Sequence, residues 1–192
     1  HEEGPPGDVL AATLAWLLRA TPAEAAHLVA GVAAGCAAVV DGPHARAVRW
    51  AERMAASHPH DPGVVVALLL NHVTLAPGEA VFLGAGNLHA YLRGAGVEIM
   101  ANSDNVVRGG LTTKHVDVEE LLRIVDCAAA DVPVQRPAAP VHTYEAPVAE
   151  FAMTRVGPGL DSEWVAAGPA IVVVTRGSVE VRDDYRCLIF DP

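Results

Sequence analysis

Residues 77–114 read PGEAVFLGAGNLHAYLRGAGVEIMANSDNVVRGGLTTK. A Pro77-Gly78 turn leads into Ala80-Val81-Phe82-Leu83, an apolar stretch with strand character. The glycine-rich turn that follows presents His89. Glu98 comes next at strand spacing, and Asn102-Ser103-Asp104-Asn105 leads to Arg108, with Lys114 close behind. An imidazole, two carboxylates and two cations thus fall within the reach of one hairpin. That is an unusual concentration of chemistry for so short a segment.

Outward from this stretch, toward the N-terminus, Val64-Val65-Val66-Ala67-Leu68-Leu69-Leu70 is a continuous apolar run rich in β-branched residues. It predicts a buried strand, although periodicity alone also fits a short helix. Val73-Thr74-Leu75 reads as a further strand. Before Pro59 and Pro62 the pattern is helical. Val9, Leu10, Leu14, Leu17 and Leu18 recur at helical spacing. Thr21-Pro22-Ala23-Glu24 supplies a cap, a first-turn proline and the acid of a capping box for a second helix reaching about Ala38 to Val40. Gly31 and Gly35 are its weak points. Asp41-Gly42-Pro43 turns into a third helix whose apolar face is Ala47, Val48, Ala51, Met54 and Ala55.

Toward the C-terminus, Asp117 to Cys127 predicts a helix capped by Asp117, with Glu119 and Glu120 in its first turn. Pro133 to Pro147 is proline-rich and reads as an extended connector. Phe151 to Val156, Ile171 to Val174 and, after a Gly177-Ser178 turn, Val179 to Val181 have strand character. Helices, β structure, a connector and more β structure in that order point to an α+β chain.

Composition narrows the function. With 52% hydrophobic residues the chain can bury a sizeable core, and with only 5% aromatics that core must be aliphatic. A net charge of −10 argues against nucleic acid as a partner, because phosphate backbones need basic surface. The three cysteines are far apart and form no CxxC, so neither a disulfide framework nor a cysteine zinc site is expected. No apolar run is long enough to span a bilayer, and the first residues are polar rather than signal-like, so the expected location is cytoplasmic, with no membrane partner.

The 77–114 stretch resembles the second cupin motif through Gly78, Gly86 and His89. Gly84 stands at that motif's proline place and Arg93 where an Asn often follows. The resemblance to the type I, zinc-dependent mannose-6-phosphate isomerases is more specific. Their PGEA, HAYL and SDNVxRxGLTPK motifs correspond to Pro77–Ala80, His89–Leu92 and Ser103–Lys114, with Thr113 where the family usually has proline. The lead-in DPGVVVALLLNHVTL, from Asp61 to Leu75, also resembles the family, as do the preceding helices, which resemble its helical insertion. The resemblance runs over about residues 8–182 and is strongest across 61–116.

The resemblance implies a cupin (jelly-roll) β-barrel with an α-helical insertion domain and part of a second β-barrel. Residues 1–58 would be the insertion. Residues 59–130 would be part of the metal-binding barrel plus a helix. Residues 131–192 would be a connector and an incomplete C-terminal β domain. The implied reaction is reversible isomerisation of mannose 6-phosphate to fructose 6-phosphate, with one zinc and a proton moved between C1 and C2 through an enediol. His89 would be a zinc ligand, since a neutral imidazole suits zinc. Arg108 would be the catalytic cation that stabilises charge on the substrate oxygens. Lys114, Tyr91, Glu98 and Asp104 would contact the sugar phosphate. Lys114 would meet substrate oxygens, phosphate or a carboxylate, and Glu98 or Asp104 would orient the cations or take part in proton transfer. A few cations would have to gather against an acidic background to hold the phosphate.

The family's metal site also uses a Gln-x-His pair and a Glu from earlier in its chain. No Gln-x-His occurs here, and the only Gln is Gln135. The reading is therefore of the central and C-terminal part of such a protein. A non-catalytic sugar-binding or regulatory cupin is the alternative. His58 and His60 form a His-x-His that a different metal cupin would need, but they read as loop residues. Oligomeric state is left open.

Overall fold

A computed structural model describes residues 6–103, 106–129, 131–157, 164–183 and 185–192. Asp104, one of the expected substrate contacts, lies outside them. The chain divides into two units, His1–Thr74 with Val81–Pro133, and Leu75–Ala80 with Val134–Pro192.

The first unit is helical. Helix α1 (Pro6–Leu18) buries Leu14, Leu17 and Leu18. Helix α2 (Pro22–Ala37) begins with the expected capping box. The Glu24 backbone N–H donates to Thr21 Oγ1 at 3.4 Å, and the Thr21 N–H donates to Glu24 Oε2 at 2.8 Å. Gly31 and Gly35 do not break α2, whose buried face is Ala25, Val29 and Cys36. Helix α3 (Ala45–Ser57) packs on α2 through Ala51 and Ala55, whose small side chains let the backbones approach. Helix α5 (Val118–Ile124) is capped as expected, with the Glu120 N–H donating to Asp117 Oδ1 at 3.0 Å. Its Leu121 enters the same core as α1.

The apolar run 64–70 is not a strand. It forms a short helix, α4 (Gly63–Val66), and a 3-10 turn, Ala67–Leu69. The reason lies just before it. Asp61 Oδ1 accepts the Gly63 N–H at 2.8 Å, and the Asp61 and Pro62 carbonyls accept from Val64, Val65 and Val66. An Asp-Pro start satisfies the first backbone donors locally, so no neighbouring strand is needed. The turn also joins two cores. Val66 packs with Leu14, Leu17, Leu18 and Leu121, while Val64 packs with Val29 and Ala55. Val64 is fully buried, and burial of a side chain of this size stabilises by about 1.5–3 kcal/mol.

The second unit carries the strands. β1 (Val141–Thr143) pairs antiparallel with β2 (Thr154–Val156), with His142 opposite Arg155. β3 (Val179–Arg182) pairs antiparallel with β4 (Cys187–Phe190), with Val181 opposite Leu188. These are two separate two-stranded sheets. The stretches expected as strands at 73–75, 81–83 and 171–174 are irregular, because a strand needs a hydrogen-bonded partner and these have none among the described residues.

The proline-rich stretch is held in place by hydrogen bonds and an ion pair. Ala80 and Gln135 exchange both backbone hydrogen bonds, at 3.1 and 2.8 Å. The Gln135 side chain bonds the Glu145 backbone twice, Arg136 pairs with Glu79 at 2.8 Å, and the Tyr144 hydroxyl donates to the Gly78 carbonyl.

All three cysteines are free. Among the described residues no helix is long and apolar enough to cross a membrane.

Candidate functional site

The site is built on loops whose ends are anchored in the helical core. Residues 84–87 form a tight turn in which the Asn87 N–H and side-chain amide both donate to the Gly84 carbonyl. Gly86, at φ +81°, lies so close to the end of α5 that a Cβ there would stand 2.9 Å from the Ile124 carbonyl oxygen. The Asp126 N–H donates to the Gly86 carbonyl at 3.0 Å and fixes that approach. Leu88 then packs into the core with Leu17 and Leu121. The next residue, His89, is therefore turned outward from a fixed point, and it is exposed.

The His89 ring is oriented by its own turn. Nδ1 lies 3.0 Å from the Asn87 carbonyl oxygen. A carbonyl only accepts, so Nδ1 carries the proton and donates, and in the neutral ring Nε2 keeps a free lone pair. This is the arrangement in which a histidine binds a metal through Nε2. The donor chemistry fits zinc as one ligand. Among the described residues no group of three or more His, Cys, Asp and Glu is placed to complete such a site.

Tyr91 stands edge-on to His89, with ring centroids 5.9 Å apart. Its hydroxyl donates to Glu98 Oε1 at 2.8 Å. The phenol is held above its ordinary pKa, by partial desolvation and by the Glu98 hydrogen bond and charge. Glu98 is thus engaged by Tyr91.

Arg108 is half-buried and follows Val107, which packs against the first core. Gly109 comes next, then Gly110 at φ +123° and Leu111 at φ +53°. Leu111 packs against the second core, and its N–H donates to Asp61 Oδ2 at 2.6 Å. Lys114 is exposed, and its backbone N–H donates to Thr112 Oγ1 at 3.2 Å. Thr113, at the family's usual proline place, is exposed beside it.

A cleft of about 390 Å³ opens beside these loops. Its walls include Trp50, Arg53 and His58 from α3 and its end, His89 and Tyr91, and the Gly109–Leu111 turn. His58, a loop residue as expected, lies just past the end of α3 and is half-buried, and its Nδ1 is buried with no hydrogen-bond partner among the described residues. Its sequence neighbour His60 is exposed. The cleft thus brings His89, Tyr91 and the turn after Arg108 together. Glu98, Arg108 and Lys114 are not among its walls.

Sequence reading missed Asp61, although an Asp-Pro pair of helix-start type was present to signal it.

No protein-family model matches the chain. The chain is 40% identical over 147 residues to the mannose-6-phosphate isomerase of Cryptococcus neoformans, a match covering 71% of this chain and 34% of that protein. It is 38% identical over 146 residues to the mannose-6-phosphate isomerase of Salmonella typhimurium, covering 70% and 36%. It is 57% identical over 65 residues to that of Escherichia coli, covering 34% and 17%. The crystal structure of the Salmonella typhimurium enzyme bound to fructose 6-phosphate and zinc superposes with a TM-score of 0.77 at 28% identity, over 97% of this chain and 48% of that one. The chain therefore spans about a third of the length of the curated relatives and about half that of the solved structure. In sequence and in fold, the chain belongs to the mannose-6-phosphate isomerase family.

Proposed function

We propose that the protein carrying this chain interconverts mannose 6-phosphate and fructose 6-phosphate. The observation that carries the reading most directly is the His89 ring. Its Nδ1–H is bound to the Asn87 carbonyl, which leaves Nε2 as a ready zinc ligand. It sits beside a Tyr91–Glu98 hydrogen bond and a cleft large enough for a sugar phosphate. The zinc and fructose 6-phosphate bound to the Salmonella relative support the same chemistry.

In this reading His89 holds the metal, which when bound polarises the substrate carbonyl. Moving a proton between C1 and C2 places negative charge on the sugar oxygens in the enediol-like state. Arg108 supplies the positive charge that stabilises it. Lys114 contacts substrate oxygens or phosphate. Tyr91 and Glu98 bind sugar hydroxyls through their shared hydrogen bond, and Asp104 belongs to the same set. Either Glu98 or Asp104 serves as the proton carrier.

The finer fold follows the same reading. Residues 1–58 act as the helical insertion, 59–130 as part of a cupin jelly-roll barrel with its following helix, and 131–192 as a connector and part of a second β domain. The cytoplasm, where sugar phosphates are made and used, is the expected location. With a net charge of −10, nucleic acid is not an expected partner.

Zinc content and isomerase activity of the gene product that carries this chain, measured beside the 192-residue chain, test the reading. One zinc and turnover of mannose 6-phosphate in the former support it. Absence of both would overturn it in favour of a sugar-binding cupin without catalysis.

A further inference from the structure

We propose that Asp61, which lies outside every expected catalytic motif, is a positioning residue for the loop that carries Arg108 and Lys114. The proposal rests on the isomerase reading above. Asp61 is part-buried and uses both carboxylate oxygens. Oδ1 accepts the Gly63 N–H at 2.8 Å, and Oδ2 accepts the Leu111 N–H at 2.6 Å. The first bond starts α4. The second reaches fifty residues along the chain, to the middle of the 108–114 loop.

The loop needs that anchor. Leu111 is the only non-glycine with positive φ among the described residues, a conformation that side-chain-bearing residues adopt only when their surroundings compensate. A charge-assisted hydrogen bond to its N–H is such compensation. The packing around the carboxylate is built for it. A Cβ on Gly110 would lie 2.9 Å from Asp61 Oδ1 and 3.1 Å from the Gly63 Cα, and a Cβ on Gly63 would lie 3.1 Å from the Leu111 N. Two glycines therefore let two backbones close around one side chain. Val107 packs against one core and Leu111 against the other, and Asp61 holds the Leu111 end of the span between them. Arg108 begins that span, and Lys114 follows three residues after its end.

A bare helix-cap role would need only the Gly63 bond. The Leu111 bond separates the two roles. Asp61→Ser keeps a one-oxygen cap for α4 but gives up the second acceptor. Asp61→Asn keeps the shape and replaces one acceptor with a donor.

The test uses the gene product that carries the chain. Turnover, KM, zinc content and amide hydrogen exchange would be measured for the wild type, Asp61→Ser and Asp61→Asn. The expected result is faster exchange in the 106–114 peptide with 118–124 unchanged, full zinc content, and kcat lowered about 10- to 100-fold, since misplacement of a catalytic group by about 1 Å can cost that much. KM should move less than kcat. Wild-type kcat in Asp61→Ser would overturn the proposal and leave Asp61 as a helix cap. Unchanged exchange at 106–114 would do the same. A wild-type protein with no isomerase activity would instead sink the isomerase reading and the catalytic half of this proposal with it. The exchange data would still report on the anchor itself.

Discussion

Leu88 and Gly109 meet so closely that a Cβ on Gly109 would stand 2.6 Å from Leu88 Cδ1. His89 and Arg108 are their immediate chain neighbours. The contact therefore sets the spacing between the segment that presents the imidazole and the segment that presents the guanidinium.

Gly109→Ala tests that spacing. The clashing atom is the tip of a leucine, which can rotate, so the stability cost should be at the low end of the overpacking range, about 1 kcal/mol. In the isomerase reading activity should suffer more than stability, because even a small shift between the segments carrying His89 and Arg108 misplaces both groups. Denaturation and turnover would be measured on the same sample. A variant with normal kcat would show that the spacing is not critical.

Gly86→Ala should be worse for folding than Gly84→Ala. At Gly86 the new Cβ would meet a backbone carbonyl at 2.9 Å, and φ is +81°; at Gly84 the nearest atom is an amide nitrogen of Asn87 at 3.5 Å. Backbone strain and overlap together make a loss of about 1–3 kcal/mol reasonable for Gly86→Ala. Equal unfolding midpoints for the two variants would contradict the docking of this turn on α5.

His89→Ala and Arg108→Ala should separate metal binding from catalysis. The first is expected to lose zinc, read by metal analysis. The second should keep zinc and lose about 10²–10³ in kcat, as expected for a group aimed at developing charge. Retention of a full equivalent of zinc by His89→Ala would refute the ligand assignment. Unchanged turnover in Arg108→Ala would remove its catalytic role.

The α2 capping box should make stability depend on pH. The Thr21 hydroxyl, and then the Thr21 backbone N–H, hold the Glu24 carboxyl below its ordinary pKa. A depressed folded-state pKa stabilises the fold above the unfolded value, about 4.3, and that contribution disappears as pH falls through the lower folded value. The melting-temperature gap between wild type and Glu24→Ala should therefore be widest near neutral pH and narrow in acid. A gap independent of pH from neutral to pH about 3 would show that the charge of Glu24 does not matter to the cap.

Local signals were legible in the sequence, and long-range ones were not. The starts of α2 and α5 follow from Thr21-Pro22-Ala23-Glu24 and from Asp117, because a cap is a contact between residues three apart. The turn before His89 and the Tyr91–Glu98 hydrogen bond lie within one short stretch, so their residues could be picked out together. The run 64–70 fits a buried strand and a short helix alike, because an apolar run has no period that separates the two. The Asp61-Pro62 pair ahead of it held the answer.

The sequence by itself determined helices α1, α2, α3 and α5, the caps, the turn chemistry and the motif that identifies the family. Each depends on neighbours along the chain. Tertiary structure alone decided which backbones close on one another: Leu88 on Gly109, Gly86 on Ile124, and Asp61 on Leu111. Those contacts join residues about 20 to 50 positions apart. They arise because α4 and α5 share a core with α1 and α2, and only the packing of that core brings such distant glycines and carboxylates within a few ångströms.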